Sequence, residues 1–509
     1  MRRLVTLFMG LAVSLPLLSL PSQAATPEQI AWSPCPEDAS AECGKLAVPI
    51  DWSKPSGPTI ELAVARRKAA DPAKRRGALF LGAGGPGGSG IDMVIHGRGY
   101  LSPDLSSSFD LIGFDHRGTN RSNPILCSTD LLAQQPSPLL TGQADFDQAR
   151  AYSDRLRADC RARTGPLFDR VDSRSAAHDL DAFRAALGEQ KITYYGISYG
   201  TLLGQMYAES YPQRVRAMTL DSTMDHSVDT RRFMDTETWG IQDGFEEVAA
   251  WCERSASCAQ HGRDFRDFWG GLMARADRGE IPVPGVPGAK ISVFDLVQGM
   301  RSAQYDPADW AAFSRALAEL DAGTATAATL TGLLGEQRAR TFAQARNPEV
   351  RHDPTEIFCQ DFAVPVRDYR EFARHMRRQA KIAPDMRYSD LAVMFPVMCM
   401  RSDPVPNPQR PLRTKTEIPV LVTNSLHDPA TVYPWATSTA RQLGASGRLL
   451  TYEGWGHGVY GTGTCGTGAI DRYLIDQVVP AKGARCPAEP IRDRPALTQD
   501  RRLTGPGPY

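Results

Sequence analysis

The sequence predicts an α/β fold, a mostly parallel sheet with helices on both faces and a helical block inserted into the middle of the chain. Three observations predict it. Short apolar runs of strand character alternate with helical spacing from residue 77 to residue 220. Between about residues 226 and 405 the strands stop, and a stretch rich in Arg, Ala and Asp reads as amphipathic helices broken by the Pro/Gly segment 281–290. At Ile418 the strand pattern resumes with IPVLVTN, and neither flank completes a sheet without the other.

The elements follow in order. Met1-Arg2-Arg3 is a short basic start, and residues 4–20 are almost wholly apolar or small. Ser22-Gln23-Ala24 puts small residues at the two positions a signal peptidase reads, which predicts a signal peptide over residues 1–24 and a secreted, extracellular protein. The apolar run is short for a membrane span and no charged stop-transfer pattern follows, so no stable membrane association is expected. Residues 25–225 form the first part of the core. Within them LAVPI and TIELAVARR, around the turn Ser53-Lys54-Pro55-Ser56-Gly57-Pro58, read as strands between residues 46 and 67. Residues 77–81 are a short buried strand running into Gly82-Ala83-Gly84-Gly85-Pro86-Gly87, and residues 109–115 are another, closing in the turn HRGTNRS. Helical spacing over 175–187 leads to a strand at 192–195, a helix at 199–211 and a strand at 217–220. After the insertion, residues 226–405, the second part of the core spans 406–486, with strands at 418–424 and 448–452 and a helix at 434–443 between them. Residues 487–509, rich in Pro and Arg, read as a loose tail.

The 58 basic and 58 acidic side chains cancel, so no global field draws the protein to nucleic acid or anionic lipid. Hydrophobic residues, at 42%, suffice for an ordinary core. Ten cysteines, without a C-x-x-C pair of the zinc or redox kind, suit an oxidising compartment. They fall into neighbours along the chain, and the simplest pairing is local: Cys35–Cys43, Cys127–Cys160, Cys252–Cys258, Cys359–Cys399 and Cys465–Cys486.

Gly196-Ile197-Ser198-Tyr199-Gly200 falls where a strand hands over to a helix. A serine on so sharp a turn is forced into a strained backbone that exposes its hydroxyl above the sheet, which separates a nucleophile from an ordinary loop hydroxyl. Serine needs a base that is itself oriented by an acid, and here the chain order should be Ser, acid, His. Of the histidines after Ser198, His226, His261, His352 and His375 lie in the inserted block, where a surface or core role is the plainer reading. His427 directly precedes Asp428, so its side chain should point away from it. His457, in GWGHG past the last strand, is the predicted base, and Asp428, in the loop after IPVLVTN, the predicted acid. Gly82 to Gly87 also fits G-x-G-x-x-G, the dinucleotide fingerprint. Pro86 removes one N–H from such a cradle, and a serine nucleophile gives the loop another use. The N–H of Gly84 or Gly85, with that of Tyr199, is read as an oxyanion hole. No cofactor and no metal are expected. Asp115 and Arg117 are read as a pair that locks the turn beneath this loop.

GGPGGSG, FDHRGTNRS, GISYGT, SLHDPATVYPWA and GWGHGVY, in that order, resemble the secreted tripeptidyl aminopeptidases of the α/β-hydrolase superfamily, relatives of the prolyl aminopeptidases. The likeness runs from about Cys35 to Cys486, and departs at Gly82-Ala83, where the family's first motif begins Asn-Pro. It implies an α/β-hydrolase fold with a helical cap, a serine mechanism without metal, and a serine exopeptidase that releases short peptides from the free N-termini of peptides or proteins. Carried over by motif, Ser198 is the nucleophile, Asp428 the acid and His457 the base. A carboxylesterase on short acyl esters is the alternative, because the same triad serves both. A non-catalytic binding protein on this scaffold is a third reading that loss of a triad residue would favour, and none is lost. An exopeptidase needs a fixed carboxylate for the substrate's α-ammonium, since an unpaired buried charge is costly. Glu356 and Asp361, flanking Cys359 in EIFCQD, are the candidates for that role. A monomer is expected.

Overall fold

The structure, a computed structural model, describes residues 30–97, 100–334, 350–401 and 403–492. The predicted signal peptide and residues 493–509 of the tail lie outside the described residues. Among the described residues there are twelve strands: β1 (Ser33–Pro34), β2 (Glu42–Pro49), β3 (Thr59–Arg67), β4 (Ala78–Gly82), β5 (Asp110–Phe114), β6 (Leu126–Ser128), β7 (Ile192–Ile197), β8 (Val215–Asp221), β9 (Val350–His352), β10 (Val420–His427), β11 (Gly447–Trp455) and β12 (Ala484–Cys486). Ten of them form one sheet in the order β1-β2-β3-β5-β4-β7-β8-β10-β11-β12. The pairings β1–β2, β2–β3 and β3–β5 are antiparallel. All the others are parallel, as expected of an α/β-hydrolase sheet.

Burial explains why the strands were legible. β4, β5 and β7 are buried at every position, as parallel strands covered on both faces must be, and so read as unbroken apolar runs. Their alternate side chains enter opposite layers. Phe80, Ile112 and Tyr194 pack into one core, and Leu79, Leu111 and Tyr195 into another across the sheet. β12 and the separate β6–β9 ladder are three residues per strand, too short to carry a period, and had no counterpart in the sequence pattern.

Between β8 and β10 the described chain is helical apart from β9. The helices Thr230–Arg254, Phe265–Asp277, Val293–Gln304 and Trp310–Ala322 close a third core around Phe245, Trp269, Leu296 and Trp310. The helix Thr355–Asp361 belongs elsewhere. Its Ile357 and Phe358 join a core of the sheet, and Phe358 stacks on Phe395 with ring centroids 3.7 Å apart. The inserted chain is rooted in the sheet's own core.

The five local disulfides are all present. The expected pairing of Asp115 with Arg117 is not. Arg117 Nε and Nη2 donate to the two oxygens of Asp179 at 2.6 and 2.5 Å, and its other N–H groups reach the carbonyls of Pro49, Ile50 and Arg170. A guanidinium carried into the core needs a partner for every donor, and Asp179 offers the bidentate one. Asp115 is already engaged, accepting Ser89 Oγ at 2.5 Å and Arg121 N–H at 3.0 Å.

Candidate active site

Ser198 stands between the end of β7 and the helix Gly200–Ser210 with φ +56°. A positive φ crowds any residue that carries a Cβ, so the surroundings must hold it there. Ser198 N–H donates to Asp221 O at 2.9 Å, and Ser198 O accepts Thr201 N–H at 2.9 Å and Thr201 Oγ1 at 2.6 Å. The flanking glycines answer to close approach. A Cβ on Gly196 would come within 2.7 Å of Gly200 O, and one on Gly200 would collide with Gly82 O.

Asp428 follows β10 directly. Its Oδ1 accepts Ala430 N–H and Thr431 N–H, each at 2.9 Å, and its Oδ2 accepts Ser222 Oγ at 2.6 Å and Thr431 Oγ1 at 3.1 Å. His457 Nδ1 lies 3.0 and 3.1 Å from the two carboxylate oxygens. Its Nε2 is buried and has no hydrogen-bond partner among the described residues. Gly456 and Gly458, at φ +97° and +101°, let the loop fold back, and a Cβ on Gly458 would stand 3.1 Å from Ile197 Cδ1. The imidazole loop thus returns over the end of the strand that carries Ser198. His427 points away from Asp428, its Nδ1 2.8 Å from Asp243 Oδ2.

The glycine loop lies against the serine. A Cβ on Gly84 would stand 3.0 Å from Ser198 Cβ and 3.4 Å from its Oγ. Gly85 and Gly87 have φ +117° and +98°, and the chain doubles back with Gly88 N–H donating to Gly84 O at 3.1 Å. Behind the loop, the helix Gly90–Ile95 is capped by Ser89, which also donates to Asp115. Ser89 Oγ accepts Asp92 N–H at 3.1 Å, so a donor that a pyrophosphate would need at this helix end is already taken, which disfavours the dinucleotide reading.

The two acids expected to meet a substrate ammonium have other partners. Glu356 Oε2 accepts Arg157 Nη1 at 2.6 Å, and its Oε1 accepts Gln360 Nε2 at 3.0 Å and Arg401 Nη1 at 3.3 Å. Asp361 accepts Ser173 N–H at 2.9 Å, Ser173 Oγ at 2.6 Å, Tyr199 OH at 2.7 Å and Asn407 Nδ2 at 2.7 Å. Burial pushes the Asp361 carboxyl up to about 7. Both carboxylates are occupied, and the expectation for Glu356 and Asp361 is corrected. Every residue of their helix is buried, so its acids are consumed in holding it. Asp361 steadies Tyr199, the residue after Ser198.

Three residues at the site were missed from the sequence. Asp221, ending β8 between β7 and β10, gives its carbonyl to Ser198 N–H. Its buried carboxylate accepts Val459 N–H at 2.9 Å, Tyr460 N–H at 3.0 Å, Tyr195 OH at 2.8 Å and Thr423 Oγ1 at 2.7 Å. One residue so fixes both the serine turn and the chain after His457. Ser222, next along, donates to Asp428. Glu237, on the helix Thr230–Arg254, is 1% exposed, and its Oε2 has no hydrogen-bond partner among the described residues. One turn on, Gly240 lets this helix close on the Asp428 loop, where a Cβ would collide with Val432 and stand 3.4 Å from Asp428 O. Burial first, then the charges of Asp390 and Asp428, push Glu237 well above the usual carboxylate range against the pull of Arg301. Arg301 Nε donates to Asp390 Oδ1 at 2.8 Å and its Nη1 to Tyr305 OH at 2.9 Å. Tyr305 O accepts His457 N–H at 2.9 Å, and the two rings lie 4.8 Å apart. None of the three had a sequence signal. Each looks like an ordinary strand-end or helix residue until its neighbours are known.

A strained serine between strand and helix, an acid–imidazole pair past later strands of the same sheet, and glycines against the serine define a serine hydrolase of the α/β-hydrolase fold. Comparison with known proteins agrees. Residues 78–277 match the family model for the alpha/beta hydrolase fold, and residues 387–486 that for TAP-like protein. The chain is 32% identical to serine protease Hip1 of Mycobacterium tuberculosis, covering 90% of this chain and 91% of that protein. It is 31% identical to carboxylesterase B of the same organism, covering 92% and 91%, and 28% identical to tripeptidyl aminopeptidase of Streptomyces lividans, covering 90% and 86%. The chain belongs to the tripeptidyl aminopeptidase family of the α/β-hydrolase superfamily.

Proposed function

We propose that this serine hydrolase is a secreted aminopeptidase that releases short peptides, of tripeptide length, from free N-termini. The residues 226–405 serve as its cap. The observation that carries the reading is Glu237, a carboxyl buried in that block on the helix that closes on the Asp428 loop, whose Oε2 has no hydrogen-bond partner among the described residues. Arg301 and Asp390 cancel each other beside it, so an ionised Glu237 leaves one negative charge over. A substrate ammonium supplies the missing cation and holds the N-terminus at a set distance from Ser198. The five disulfides and the basic-then-apolar residues 1–24 support secretion.

In this reading Ser198 Oγ attacks the scissile carbonyl while its proton passes to His457 Nε2. Asp428 holds the Nδ1 proton and stabilises the imidazolium. The oxyanion forms between Tyr199 N–H and the N–H of Gly84 or Gly85. His457 returns the proton to the departing amine, and water then releases the peptide from the acyl-enzyme by the same steps in reverse. The second reading is a carboxylesterase. The likeness to carboxylesterase B favours it, as does the burial that raises the Glu237 carboxyl and so disfavours its charged form.

The test is a panel of tripeptidyl amides with free and acetylated N-termini, run beside a short acyl ester. Free peptides should be preferred. Glu237→Gln should raise KM for them about 30-fold, roughly 2 kcal/mol for a lost buried charge contact, and should spare the ester. Equal cleavage of free and acetylated peptides by the parent enzyme would rule out the aminopeptidase reading.

A further inference from the structure

Among the described residues six non-glycine residues have a positive φ, and two of them stand just past the ends of the neighbouring strands β7 and β8. One is Ser198. The other is Ser222, at φ +54° and fully buried. Strain retained in a buried residue points to function when its contacts account for it. Ser222 Oγ lies 2.6 Å from Asp428 Oδ2 and 2.7 Å from Gly458 N, and Ser222 N–H donates to Thr423 O at 2.9 Å. A hydroxyl has one proton, and an amide N–H only donates. Oγ therefore accepts from Gly458, and its proton is left for the carboxylate. Among the described residues the other donors to Asp428, apart from His457, are Ala430 N–H, Thr431 N–H and Thr431 Oγ1, all within its own turn. Ser222 is the donor supplied by another strand, and it also ties down the residue after His457.

We infer that Ser222 is a positioning residue of the hydrolytic site, whose hydroxyl sets the charge and orientation of Asp428 against His457 by joining the two loops that carry them. The inference rests on the triad proposed above and not on the peptidase reading. Asp428 must stay ionised while imidazolium forms opposite it, and a donated hydrogen bond favours the ionised carboxylate. Without the hydroxyl Asp428 is more basic, holds the Nδ1 proton more tightly, and raises the pH at which His457 loses its charge. The acid limb of the kcat/KM profile then moves to higher pH. Gly458 N–H loses its acceptor at the same time, and the looser loop lowers kcat more than KM.

Ser222→Gly tests this without penalising the backbone, because glycine takes φ +54° freely. Ser222→Ala removes the same hydroxyl and keeps the strain. On a short neutral ester both should lose kcat about 10- to 100-fold with KM within about three-fold, the scale of a misplaced catalytic group. The acid limb should move to higher pH. Labelling by a fluorophosphonate should slow in parallel, counted per folded site. A Ser222→Gly enzyme with the parent's kcat and pH profile overturns the inference. So does a loss of rate matched by an equal loss of labelled sites with the acid limb unmoved, since that is only misfolding. Ser198→Ala is the control: if it still turns over the ester, the triad and this inference fail together. Failure of the parent on free tripeptidyl amides, with the ester results as expected, would remove the peptidase reading alone.

Discussion

One methyl group at Gly84 should abolish most turnover without unfolding the protein. The added Cβ would stand 3.0 Å from Ser198 Cβ, tighter than non-bonded carbons at their usual separation of about 3.5–4.0 Å, so something must retreat by a few tenths of an ångström. Ser198 cannot. Its N–H is held by Asp221 O, its carbonyl by Thr201, and its φ of +56° leaves no neighbouring basin to relax into. The glycine loop yields instead, and carries away the N–H groups proposed to meet an oxyanion. Removing one such donor outright lowers kcat about 100- to 1,000-fold, roughly 2.7–4 kcal/mol. A donor displaced rather than removed should cost about 30- to 300-fold. KM should change less, because the ground-state carbonyl draws less on these donors than the transition state does. The assay is kcat and KM for Gly84→Ala on a short acyl ester and on a tripeptidyl amide, beside a thermal melt. The two substrates share one oxyanion, so both rates must fall by a similar factor. Turnover within three-fold of the parent on both, in a folded protein, would refute the placement of Gly84 at the oxyanion hole.

The remaining predictions concern buried charge. The folded carboxyl of Asp361, at about 7 against an ordinary 3.8, lets the folded state keep a proton that the unfolded chain has released, so stability falls as pH rises from about 4 to 7. Roughly three pH units at about 1.36 kcal/mol each give an upper figure of about 4 kcal/mol. Burial raises Asp115, Asp221, Glu237 and Glu356 as well, so the informative quantity is the difference between Asp361→Asn and the parent. Urea midpoints at pH 5 and pH 8 should lie closer together in the variant, and an unchanged gap between them would count against the assignment. Arg117→Met leaves Asp179 as an uncompensated buried charge and should cost about 3–5 kcal/mol in urea unfolding, much of it recovered by Arg117→Met with Asp179→Leu. A single variant as stable as the parent would show that the pair does not hold the turn.

The sequence alone determined the fold class, the serine turn, the loops that bring Asp428 and His457 together and the local disulfides. Each of these is written in a short window. A strand buried on both faces is an unbroken apolar run, a turn too tight for side chains demands glycine on each side of Ser198, and cysteines that are neighbours along the chain can meet with little loop closure. Only the tertiary structure decided what lies between the windows. Arg117 chose Asp179, 62 residues away, over Asp115 at its side, because the folded core offered a bidentate acceptor there. Asp221 and Ser222 hold the site together only because β8 lies between β7 and β10, and strand order is not encoded in any one strand. Glu356 and Asp361 read as candidates for a substrate ammonium until arginines, a tyrosine and an asparagine from distant segments filled their lone pairs, while Glu237, equally plain in sequence, keeps an oxygen without a hydrogen-bond partner among the described residues. A carboxylate's role is set by which donors reach it, and donors are brought by packing across the whole chain.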